Sequence, residues 1–151
     1  MSTEIFFSTK LPTEVREETI KLAYIETIKK VNWVPEGDIS LAFVSRAESQ
    51  RLNSQYAGND YPTDVLSFPY REEGVIENEF SGEIVICSNI ARAQAKEYGT
   101  DLESEVTLLV VHGILHIYGL DHQNKDSKTS FELIQNDIMK SLNLKNRKMP
   151  W

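Results

Sequence analysis

Residues 106–119, "VTLLVVHGILHIYG", constrain the fold more than any other stretch of the chain. At about 100° per residue they form a helix that is apolar on nearly every side, and a helix without a polar face has to be covered all round. It therefore belongs at the centre of the molecule. A chain of 151 residues with 40% hydrophobic content can build one core of ordinary size. A single domain over residues 1–151, wrapped around this helix, is the expectation.

The rest of the chain supplies the cover. Short apolar or alternating runs at "EIFFS" (4–8), "ISLAFVS" (39–45), "DVLSFPY" (64–70) and "SGEIVICS" (81–88) read as strands. Helical spacing appears over residues 12–31, with Pro12 near the start, over 46–57, and over 89–99, closing on Gly99. "TDLE" has the Thr-x-x-Glu spacing of a capping box, Thr100 to Glu103, opening the central helix, and a last helix follows near 126–143. Glu105 then reads as a solvent-exposed residue of the first turn. "REEGVIENEF" (71–80) reads as a hairpin connection, and the tail "KNRKMPW" as loosely held. Strands and helices mix without strict alternation, which predicts an α+β domain: a small mixed sheet packed with about five helices.

All three histidines of the chain lie in "HGILHIYGLDH", residues 112–122. His112 and His116 project from one helix face about one turn apart, close enough to grip one metal ion. His122 would lie roughly 240° round the axis from His116 if the helix continued. Gly119 is placed to end it, since glycine accepts a left-handed conformation at little cost, and the chain can then turn back with His122 as third ligand. Burying imidazoles without partners costs free energy, and ligation supplies the partner. A metal site at the end of the central helix is expected. Three imidazoles and no thiolate suit zinc, although copper, nickel or iron would also accept them. Three protein ligands leave a position open, the arrangement of catalytic zinc, which lowers the pKa of its water to about 7.

The spacing H-x-x-x-H-x-x-G-x-x-H is that of the metzincin proteases, whose second residue is a glutamate general base. Here that residue is Gly113, which can take no proton. The cage is shared, and the missing base argues against peptide hydrolysis.

"HGILHIYGLDH" resembles the H-G-x-L-H-x-x-G-x-D-H signature of the YbeY family, bacterial endoribonucleases of ribosomal RNA maturation. "LNSQYAGNDYPTDVLSFPY" (52–70) is similar to the family's L-N-x-x-Y-R-x-x-x-x-P-T-D-V-L-S-F-P stretch, and "GEIVICSNIARAQAKEYG" (82–99) resembles its G-D-I-x-I-S strand and following helix. The resemblance implies an α+β fold, one zinc ion on His112, His116 and His122, an endoribonuclease acting on single-stranded precursor ribosomal RNA, and the ribosome or its proteins as partners. No nucleotide cofactor is expected. One residue departs from the pattern: Ala57 stands where the family usually has arginine, a natural phosphate clamp. Either Arg46, Arg51 or Arg92 replaces it, or nuclease activity is weaker than the family name suggests.

Other candidates carry less. His116 is assigned to catalysis as well as ligation; Asp121, beside His122, is a candidate to orient a ligand; Asp64 either caps a turn or faces the site. Ser67 reads as a strand hydroxyl, since no histidine is left to activate it. The lone Cys87 rules out a disulfide framework and reads as a buried thiol of a cytoplasmic protein. Nothing reads as an export signal or a membrane span. With 16 basic against 23 acidic residues the net charge is −7, which argues against sequence-blind adhesion to nucleic acid, although Arg92, Lys96, Lys145, Arg147 and Lys148 could form a local basic groove. Two further readings stand beside the nuclease: a non-enzymatic, metal-stabilised ribosome assembly factor, and a zinc hydrolase of another substrate such as a peptide.

Overall fold

The computed structural model describes residues 3–70 and 80–150. Its elements run β1 (Ile5–Phe7), α1 (Glu17–Lys30), β2 (Asp38–Val44), α2 (Arg46–Ala57), β3 (Val65–Pro69), β4 (Phe80–Cys87), α3 (Ser88–Tyr98), α4 (Leu102–Tyr118) and α5 (Lys125–Ser141). The strands form one sheet in the order β1-β2-β4-β3, in which β1, β2 and β4 run parallel and β3 is antiparallel to β4. This is the expected α+β domain with a mixed sheet and five helices. The hairpin connection read at 71–80 lies, up to its last residue, outside the described residues.

The central helix is where its composition requires it. Every residue of α4 from Ser104 to Leu115 is buried. One side packs on the sheet, where Val106, Leu109, Val110, Ile114 and Ile117 meet Ile39, Leu41, Ile84 and Ile86. The other packs on α1 and α5, where Val111 and Leu115 meet Ala23, Phe131 and Ile138. Each such side chain removed from water contributes about 1.5–3 kcal/mol, so α4 joins the two halves of the core. Its approach to the sheet is close: a methyl group on Gly113 would come within 2.9–3.1 Å of Ile84, and one on Gly82 within 2.8–2.9 Å of Ile117. Among the described residues no helix is long and apolar enough to cross a membrane.

Four sequence-based expectations are corrected. The first helix starts at Glu17, not near Pro12, because Glu103 draws in Arg16: the Arg16 N–H donates to Glu103 Oε2 at 2.8 Å and its guanidinium to Oε1 at 3.0 Å, holding Arg16 extended. That engagement also removes Glu103 from the expected capping box. Asp101, not Thr100, caps α4, accepting from the Ser104 N–H at 2.8 Å. Glu105 is not exposed but 1% accessible. The tail is not loose: the Lys145 N–H donates to Ser104 Oγ at 3.1 Å, and the Arg147 guanidinium reaches Glu105 through the interior and stacks 4.1 Å from the Tyr98 ring.

Candidate metal centre

His112 and His116 sit in the last two turns of α4, and Gly119 ends the helix at φ 117° in the left-handed region, its N–H donating back to Leu115 at 3.1 Å. The reversal returns His122 to the helix end. The ligand atoms of His112, His116 and His122 all lie within 4.8 Å of one another. The His112 and His116 Nε2 atoms approach to 2.9 Å, and the His122 ring centre lies 5.6 Å and 5.2 Å from theirs. The glycine reversal read from sequence is therefore what assembles the cluster.

Electrostatics keep the cluster ready for a cation. Burial, then the neighbouring His116 and His122 and the Arg147 charge, push the His112 pKa down to about 3. Burial and His122 also lower that of His116, against the opposing charge of Asp121. Both rings are thus neutral at pH 7, the protonation state in which an imidazole ligates a metal. Nitrogen donors without a thiolate or carboxylate among them fit a borderline ion such as zinc.

Phe131 of α5 backs the site, its ring centre 4.9, 5.5 and 5.7 Å from those of His112, His116 and His122. It closes the rear of the cluster with an apolar surface. Sequence reasoning missed it, because one aromatic at a core position of an ordinary amphipathic helix gives no signal. In front, His112 and His116 form one wall of a cleft of about 410 Å³ whose other wall is β3, through Val65, Leu66, Ser67 and Pro69. A space of that size opening on three imidazoles can admit a substrate group.

The remaining candidates lie outside the ligand cluster. Asp64 caps the start of β3: its Oδ1 accepts from the Val65 N–H at 2.8 Å and the Thr63 hydroxyl at 3.3 Å. Asp121 accepts from the Gln123 N–H at 3.2 Å and acts on His116 through its charge. Of the arginines considered as replacements at Ala57, Arg51 is paired with Glu48 at 2.5 Å and Arg92 with Glu14, while Arg46 is exposed at the start of α2. Cys87 is buried.

Comparison with known proteins converges on the same group. The family model described as Endoribonuclease YbeY matches residues 6–143. Proteins named Endoribonuclease YbeY from Finegoldia magna and Alkaliphilus oremlandii are 34% and 38% identical over 128 and 133 residues, covering 85% and 81% of this chain and 81% and 88% of theirs. The solution structure of TM1509 from Thermotoga maritima superposes with a TM-score of 0.60 at 27% identity, over 93% of this chain and 91% of that one. The chain belongs to the YbeY family.

Proposed function

We propose that residues 1–151 form one zinc-dependent endoribonuclease domain that cuts single-stranded regions of precursor ribosomal RNA in the cytoplasm, with the ribosome or ribosomal proteins as partners. The observation that carries this reading is the convergence of three imidazoles, two held neutral by burial, on one wall of an open cleft in a chain of this family. His112, His116 and His122 would hold the zinc, which when bound would supply Lewis acidity toward a phosphate oxygen or a water.

The chain's own residues do the positioning. Buried α4 fixes His112 and His116, Gly119 delivers His122, and Phe131 excludes water from behind. Asp121 orients the His116 side of the cluster through its charge. Asp64 is kept as a catalytic candidate at the start of the strand lining the cleft, beside its capping of Val65 and Thr63, and the cleavage rate of Asp64→Asn tests it.

The test is cleavage of a structured ribosomal RNA fragment by zinc-loaded protein beside a His116→Ala variant. Loss of cleavage in a folded variant is expected; a wild type inactive at every zinc loading, with ribosomal partners present, would overturn the reading. Ala57, with Arg51 and Arg92 both committed to carboxylates, favours the assembly factor as second reading. Metal removal separates the two: a catalytic site loses activity while the fold survives, whereas a structural site unfolds the domain.

A further inference from the structure

β3 is an edge strand, and its outer edge faces the cleft. Two hydrogen bonds fix which of its amides point there: the Cys87 N–H donates to the Asp64 carbonyl at 2.9 Å, and the Tyr70 N–H to the Ser81 carbonyl at 3.0 Å. In an antiparallel pair the bonded positions alternate, so residues 64, 66, 68 and 70 bond with β4, and 65, 67 and 69 direct their main-chain groups outward. Val65 spends its amide on Asp64 Oδ1 at 2.8 Å, and Pro69 has no N–H. Ser67 is left as the one position of this strand with an outward amide that donates to nothing among the described residues.

The Ser67 side chain stands at right angles to that amide and borders the same cleft. Ser67 sits opposite Ile84 in the register, and Ile84 packs on Gly113 of α4. Paired residues share a face of the sheet, so the Ser67 hydroxyl lies on the α4 side, where the residue lines the cleft with His112 and His116. Among the described residues nothing bonds to it. Ser67 thus offers two donors across the cleft from the imidazoles, in a chain that lacks the arginine at position 57.

The geometry points to Ser67 as a phosphate-contacting residue, whose amide and hydroxyl hold a non-bridging oxygen of a phosphodiester lying in the cleft shared with His112 and His116. The assignment rests on the nuclease reading for its substrate, but not for its test. Neutral main-chain and hydroxyl donors bind phosphate oxygens without a cation, as at many nucleic-acid interfaces.

The experiment is calorimetric binding of inorganic phosphate to zinc-loaded wild type, Ser67→Ala, Ser67→Thr and Ser67→Pro, with metal content measured in each. A hydrogen bond to an ionised group predicts about tenfold weaker phosphate binding in Ser67→Ala, recovery in Ser67→Thr and a further loss in Ser67→Pro. Proline removes the amide without breaking the ladder, because that amide faces away from β4. Unchanged phosphate affinity in Ser67→Ala at equal metal content, or a wild type that binds no phosphate, overturns the assignment. RNA cleavage by the wild type is scored in parallel. Phosphate binding through Ser67 without cleavage, at every zinc loading and with ribosomal partners present, removes the nuclease reading and leaves Ser67 standing; cleavage with phosphate affinity indifferent to Ser67 does the reverse.

Discussion

The Arg147 guanidinium and the Glu105 carboxylate meet inside the protein, Nη2 to Oε2 at 2.5 Å and Nε to Oε1 at 2.9 Å, with side chains 5% and 0% exposed. The pair ties the C-terminal tail to the helix that carries His112 and His116. Glu105 lies seven residues before His112, two turns down the same face of α4. Removing Arg147 alone leaves a carboxylate in the interior with no cation. Arg147→Ala is expected to lower stability by about 3–5 kcal/mol, read as a fall in the urea midpoint at constant slope. The double variant Arg147→Met, Glu105→Leu should recover most of it, since an apolar pair of similar volume carries no uncompensated charge. A single variant as stable as wild type would show that the tail does not hold the charge.

The depressed His112 pKa sets a pH dependence with a defined sign. The folded ring takes up a proton near pH 3, and an unfolded one near 6.5. Between those values the unfolded chain binds more protons, so the stability of the metal-free protein rises with pH across that window. It is complete above about pH 6.5 and is lost as pH falls toward 3, at about 1.4 kcal/mol per pH unit for one such group. Denaturant midpoints of wild type and His112→Asn from pH 7 to 4.5 check this, because the carboxylates are common to both. Wild type is expected to fall more steeply; parallel curves would contradict the buried neutral ring.

Gly119→Ala separates the reversal from the ligands themselves. At φ 117° an alanine costs about 1–2 kcal/mol, and relief of that strain moves His122. Zinc affinity, measured by competition with a chelator, is expected to drop about 10- to 100-fold, as for other changes in the support of a ligand. Gly99→Ala is the control: it strains a left-handed residue at φ 70° at the end of α3 and should leave zinc affinity unchanged. Equal zinc affinity in wild type and Gly119→Ala would mean that His122 is positioned by something other than the turn.

The parts of this structure that were legible in the sequence are those set by near neighbours. Periodicity alone placed α4 in the core, because its apolar residues leave no face for solvent. Four-residue spacing and one glycine gave the histidine cluster. What escaped depends on partners distant in the chain. Glu105 looks like any acidic residue of a first helical turn until Arg147, 42 residues later, arrives beside it. Thr100 and Glu103 have capping-box spacing, but Arg16 claims the glutamate from outside the helix. Ser67 acquires its outward amide only once β3 is known to be an edge paired with β4, which strand order decides and local pattern does not.

Gly113 distinguishes this cage from that of the peptidases with the same histidine spacing. Its Cα faces the sheet, and a methyl group there would lie 2.9 Å from Ile84 Cδ1 and 3.1 Å from Cγ2. A glutamate at this position would enter the core against β4, not the cleft. Gly113→Ala sets a helix-propensity gain of about 1 kcal/mol against overpacking of about 1–3 kcal/mol, and a small net loss is expected. Gly113→Glu adds a buried, unpaired carboxylate and should destabilise by more than about 3 kcal/mol. If the glycine stood only in place of a general base, Gly113→Glu would instead fold normally and hydrolyse a peptide ester when zinc-loaded. Thermal unfolding and a peptide-hydrolysis assay on that one variant decide between the two outcomes, and the contact with Ile84 predicts instability without peptidase activity.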